Sequence, residues 1–130
     1  MQIDTHQQID RNLCGEPVEV GEGHSRATFK ATEEMAVDEA GLTHGGFIFG
    51  LADHAAMIAV NHPNVVLGAA EVKFLKPVKT GDTVEAEARI VTVSGKKRMV
   101  DVNVKLGDEI VFTGVFTCFI LDQHVLQTGG

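Results

Sequence analysis

Gly45-Gly46-Phe47-Ile48-Phe49-Gly50-Leu51-Ala52-Asp53-His54-Ala55-Ala56-Met57-Ile58-Ala59-Val60-Asn61-His62 is the stretch whose reading decides the fold. It is apolar almost all round, and Pro63 stops it, because proline pushes the residue before it out of the helical conformation. A helix with no polar face cannot lie on a surface, so it belongs in a core. The rest of the chain must therefore wrap it.

Outward from that helix, the flanking segments read as strands. His24 to Thr32 partly alternates, with Ala27, Phe29 and Ala31 against Arg26, Thr28 and Lys30. A polar connection, Glu33 to Leu42, leads into the helix. Beyond it, Val65 to Leu75, Thr83 to Val93, Met99 to Leu106 and Ile110 to Leu121 are rich in Val, Ile, Thr and Phe. Turn signals separate them at Pro77 with Gly81-Asp82, at Ser94-Gly95 and at Gly107-Asp108. Short gaps between the last three runs predict hairpins. The expected architecture is α+β: a five-stranded antiparallel sheet wrapped around one long central helix. With no internal repeat or linker, residues 1–130 read as a single domain with its core at about 24–121. Gln127 to Gly130 is expected to fray.

Composition narrows the function. Eleven Lys and Arg against eighteen Asp and Glu give a net charge of −7, and there is no Trp or Tyr to stack bases, so nucleic acid is not an expected partner. No basic-then-apolar leader begins the sequence and no apolar run reaches the roughly 18 residues that span a bilayer. A cytoplasmic protein without a membrane partner is the expectation. Cys14 and Cys118 have no short metal-ligand spacing, which favours two free thiols over a disulfide or a metal site. Seven of the basic residues fall between positions 73 and 98, against three acidic ones, a local excess suited to an anionic ligand.

Within the helix, Asp53 and His54 are the only ionisable residues between His44 and His62. A buried carboxylate is costly unless it is paired or put to use. His44-Gly45-Gly46 opens the same helix, where glycines leave backbone N–H groups bare at the positive end of the dipole, as in an oxyanion hole. Taken alone, Asp53 reads equally well as facing a solvent channel or capping a neighbouring loop, and His-Gly-Gly as a plain hinge. Spacing strengthens the functional reading: eight residues at 1.5 Å per residue put Gly45 and Asp53 roughly 12 Å apart along the axis. Two chains with antiparallel helices would bring Gly45 of one to Asp53 of the other, forming two composite sites.

His44 through Asp53 resembles the His-Gly-Gly to Ala-Asp helix of PaaI-type hotdog thioesterases. Phe74-Leu75-Lys76-Pro77 resembles that family's Phe-Leu-Arg-Pro strand end, and Gly81-Asp82-Thr83 its Gly-Asp-Thr turn. The resemblance implies a hotdog fold and hydrolysis of acyl-CoA. Gly45 N–H would hold the thioester oxygen, Asp53 would act as base or nucleophile, and His44 and Gly46 would complete the helix start. It implies a homodimer, or a homotetramer of two dimers, with no metal or redox cofactor, coenzyme A being part of the substrate. Some relatives carry a Ser or Thr near the places where Met57 and Leu67 stand here. Val100-Asp-Val-Asn103 and Gly107 to Gly114 also resemble the malonyl-CoA-binding hotdog domain of a bacterial fatty-acid synthesis repressor, which implies the alternative of a non-catalytic acyl-CoA sensor. In that family the helical acid is replaced by Asn. Hotdog dehydratases carry a His-Phe-Pro motif that this sequence lacks.

For the phosphates of CoA, Lys73, Lys76, Lys97 and Arg98, with Phe74 beside them, are the expected contacts, ahead of Lys79 and Lys96. Solvated strand ends and a hairpin account for the same lysines equally well. His54 points about 100° away from Asp53 and reads as a core or dimer histidine. Asn12, Leu13 and Cys14 read as a segment able to fold over the thioester. Phe47, Phe49 and Met57 are the helix residues expected to set the acyl pocket, leaving aryl, short-chain and medium-chain groups open.

Overall fold

In chain order the elements are α1 (Arg11–Cys14), β1 (Glu16–Gly21), β2 (His24–Lys30), α2 (Gly45–Val60), β3 (Val65–Phe74), β4 (Thr83–Ser94), β5 (Lys97–Leu106) and β6 (Glu109–Ile120), with one-turn 3-10 helices at Glu33–Met35 and Val125–Gln127. This computed structural model describes Met1 to Gln127. The tail expected to fray lies outside the described residues from Thr128 onward, while Gln127 closes the last 3-10 turn.

Helix α2 begins where His44 caps it and ends two residues before the expected His62. Asn61 takes the left-handed conformation (φ 53°), and its N–H closes on Met57 O, which terminates the helix before Pro63 can. The helix is as enclosed as its composition demands: Leu51, Ala52, Ala55, Ala56 and Ile58 are fully buried. The sheet supplies the other half of the core, with Phe29, Val84, Val102, Val104, Phe112 and Phe116 turned toward the helix. Burying that many apolar side chains at roughly 1.5–3 kcal/mol each is the main force holding the layers together. Buried Ser25 ties sheet to helix through a 2.6 Å bond from its hydroxyl to Ala55 O.

All strand pairs are antiparallel, in the order β1-β2-β4-β5-β6-β3. The three hairpin turns, at Gly23, Gly95 and Gly107, use positive φ (75°, 59° and 60°), which glycine adopts without a Cβ clash. The sheet has six strands, one more than expected. The extra strand, β1, pairs with β2 and carries a bulge at Val18. It lacks alternation because neither of its faces is fully buried, and Pro17 tells against a strand in sequence. The segment read as a cover thus becomes a capped helical turn and a strand. Asp10 Oδ1 accepts from Asn12 N and Leu13 N (2.9 and 3.2 Å), and Gly15 lies so close to the Leu51 side chain that a Cβ there would collide with it.

Residues 2–5 fold back over the end of α2. The Asn61 side chain accepts from Asp4 N (2.7 Å) and donates to Gln2 O (2.8 Å). At the far side of the sheet, β3 pairs only with β6, and Gly68, Ala69, Ala70 and Glu71 along it are exposed. Among the described residues no helix is long and apolar enough to cross a membrane.

Candidate active site

The start of α2 is built by its cap. His44 is held from behind by its N–H to Met35 O (2.8 Å), and its ring Nδ1 accepts from Gly46 N (2.8 Å). Gly46 N–H, expected to be open, is therefore occupied, and a Cβ at Gly46 would sit 2.8 Å from that ring nitrogen. The histidine cap costs one donor and leaves the other: among the described residues Gly45 N–H has no acceptor. The Phe74 ring stands over Gly45, where a Cβ would lie 3.0 Å from it. Between them runs a groove of about 370 Å³ walled by Leu42, Thr43, Ile48, Phe74 and Leu75, with Lys76 and Pro77 also lining it. Thr43 is 6% exposed, and its hydroxyl has no partner.

Two turns further along α2, Asp53 is half-buried, and its Oδ1 is buried without a hydrogen-bond partner among the described residues. Burial pushes its carboxyl up to about 6. Two thiols lie within reach of its charge. Burial, then the Asp53 charge, pushes Cys118 up to about 12; burial, then Asp10 and Asp53, raises Cys14. Both stay protonated at neutral pH and are poor nucleophiles. Sequence reasoning had no signal for this influence, since only the fold brings Cys14 and Cys118 within range of the Asp53 charge. Thr43, Leu42 and Leu75 were likewise missed, although they border motifs already singled out.

His54 is 2% exposed, its Nδ1 is 3.2 Å from Cys14 O, and its ring stacks on His6 at 6.3 Å. Burial lowers its pKa. It is a core histidine that fastens α1 to α2.

The expected phosphate contacts do not share one place. Lys76 lies at the Gly45 groove, 3.5 Å from Glu109. Lys73 stands in register with Thr113, itself in register with Asn103, and lines an outer groove with them. Lys97 is in register with Phe119 and through it with Val66, at the opposite end of β3. Eight residues at 3.3 Å separate that level from Phe74, about 26 Å. The Arg98 guanidinium donates to Gly95 O (2.7 Å) and Lys97 O (3.2 Å), and Lys96 pairs with Asp122 at 2.7 Å. Of the helix residues expected around the acyl group, Met57 is buried in the core and Phe47 and Phe49 are half-buried, Phe49 packing on Phe116 at 5.4 Å.

Residues 40–113, from the loop ahead of α2 into β6, match the family model described as the thioesterase superfamily. The chain belongs to the thioesterase superfamily. Its fold is the hotdog, and a crystal structure of an uncharacterized Pyrococcus horikoshii protein superposes at TM-score 0.96, with 50% identity and 97% of each chain covered. A variant of the phenylacetic acid degradation protein PaaI from Thermus thermophilus superposes at TM-score 0.77, with 26% identity over 84% of this chain and 95% of that one. The chain spans about a quarter and a half of the length of two curated relatives. One, methylthioribose-1-phosphate isomerase from Aquifex aeolicus, is 51% identical over 124 residues, 95% of this chain but 27% of the relative. The other, transcription factor FapR from Thermoanaerobacter sp., is 31% identical over 99 residues, 76% of this chain and 50% of the relative.

Proposed function

We propose that the chain is an acyl-CoA thioesterase that cleaves its substrate to free acid and CoA at two composite sites of a homodimer. The β3 strands pair along their open edges, and the two α2 helices run antiparallel. The thioester oxygen then accepts from the bare Gly45 N–H at the positive end of one helix, and Asp53 of the other helix faces the carbonyl carbon. As base, Asp53 takes a proton from water while the water oxygen bonds to the carbonyl carbon. The C–S bond then breaks and the thiolate leaves with a proton. As nucleophile, the carboxylate bonds to the carbonyl carbon, the C–S bond breaks and the thiolate leaves with a proton, and water then hydrolyses the mixed anhydride to free acid and the regenerated carboxylate. Neither route calls for a metal or a redox cofactor. Within one protomer the two groups are about 12 Å apart, which is why the reading requires two copies.

The observation that carries this proposal is Asp53 itself, a carboxyl with a buried, unpartnered oxygen held near 6. A structural acid acquires a partner; a working base keeps a lone pair free and a pKa near the operating pH. The likeness to PaaI supports the same reading.

A second reading, a non-catalytic acyl-CoA sensor, is favoured by the likeness to FapR. Release of free thiol from a panel of acetyl-, medium-chain and aryl-CoA separates the two, with Asp53→Asn measured alongside. Turnover that falls about 10²–10⁴-fold in the variant, with the dimer intact, is the expected result. Tight binding with no turnover by the wild type establishes the sensor, and full activity in the variant removes Asp53 from the mechanism.

A further inference from the structure

Gly50 is the one described glycine for which this chain supplies no reason. Each of the others either takes positive φ or sits where a Cβ would press on a neighbour within 3.0 Å, as Gly45 does on Phe74 and Gly46 on His44. Gly50 lies in regular helix, and a Cβ built on it meets nothing within 4 Å. Glycine is among the poorest residues for a helix interior and alanine the best. The sequence thus carries a stability penalty at a position where the isolated fold has room for a side chain.

The position says what the room is for. Gly50 precedes Asp53 by three residues and so shares its face of the helix. On the dimer proposed above, Gly45 of each helix meets Asp53 of the other, and the midpoint of those two positions is residue 49. The two-fold axis therefore passes beside Gly50, where the helices come closest. The separation of packed helices is set by the side chains at their point of contact. A missing Cβ there lets the backbones approach.

We infer that Gly50 is a positioning residue that receives helix α2 of a second copy and thereby fixes the distance from each Asp53 to the opposing Gly45 N–H. The inference rests on the composite-site reading, and it makes reaction geometry depend on a residue that touches neither substrate nor water.

Gly50→Ala and Gly50→Val, compared with the wild-type full chain, test it through thermal midpoint, the dimer dissociation constant from sedimentation, and kcat and KM with acetyl-CoA and a long-chain acyl-CoA. Alanine suits the isolated helix, so the variant folds. The expected result is a weaker dimer and a kcat lowered on the order of 100-fold, the cost of a displacement of about 1 Å, equally for both substrates and with KM little changed; valine is worse. A Gly50→Ala protein that melts higher, dimerises as tightly and turns over as fast as wild type overturns the inference. A loss confined to the long-chain substrate also overturns it and gives the space to the acyl group. If the wild type hydrolyses neither substrate, the thioesterase reading fails separately, and the dissociation constant alone decides, an unchanged value in Gly50→Ala rejecting the spacing role. A wild type that stays monomeric at every concentration rejects both.

Discussion

Asp53 is held in its protonated form to a higher pH than the same residue in an unfolded chain, about 6 against 3.8. Between those values unfolding releases a proton, so folding stability falls as pH rises through that window and is fully reduced above about 6. Asp53→Asn removes the ionisation and is expected to be about 1–3 kcal/mol more stable than wild type at pH 8, with the difference shrinking toward pH 4; urea denaturation at the two pH values measures it. Activity moves the opposite way, since only the ionised form accepts a proton, so kcat/KM rises with pH through about 6. Asp53 and Gly45 were legible in the sequence because an acid and a glycine pair are conspicuous in an otherwise apolar helix. The occupation of Gly46 N–H was not, because it depends on how the His44 ring is turned. The two thiols that feel the Asp53 charge come from α1 and β6, which only the finished fold brings together.

At the scale of elements, α2 is held by polar side chains at both ends, His44 on Gly46 N and Asn61 on residues 2 and 4. His44→Ala is expected to cost about 1 kcal/mol of stability, as loss of an N-cap does, while His44→Asn, whose amide oxygen can accept from the same N–H, restores most of it; thermal melts of both variants check this. The helix could be read from its unbroken apolar run, β2 and β4 to β6 from the alternation of buried positions along them, and β3 from its valines and the turn signals that bound it. Strand β1 could not, for an edge strand outside the core has no such period to display. The two-residue turn Glu22-Gly23, with Gly23 at φ 75°, was its one signal.

At the scale of the whole molecule, the open edge of β3 is the surface on which the proposed pairing depends. Exposed alanines in its middle offer backbone groups without obstruction, and a charge placed there meets its own copy across a two-fold axis. Ala70→Glu is therefore expected to sediment as a single chain at micromolar concentration and to lose thiol release, while its thermal unfolding stays cooperative. Sequence patterning located this edge only indirectly, since strand order is set by which strands pair and not by any one strand's composition.

The two margins of the sheet are unlike. At β1, Pro17 withholds an amide hydrogen, the bulge at Val18 breaks the regular repeat, and Glu16 and Glu19 add negative charge; β3 also has a bulge, at Gly68, but its exposed Glu71 and Lys73 are of opposite sign and no proline withholds an amide hydrogen. A ribbon with two welcoming margins would recruit copies without end and grow into a fibril. In the proposed dimer the first neighbour takes up β3 and leaves the Pro17 margin outermost, so growth along the sheet is expected to halt at two.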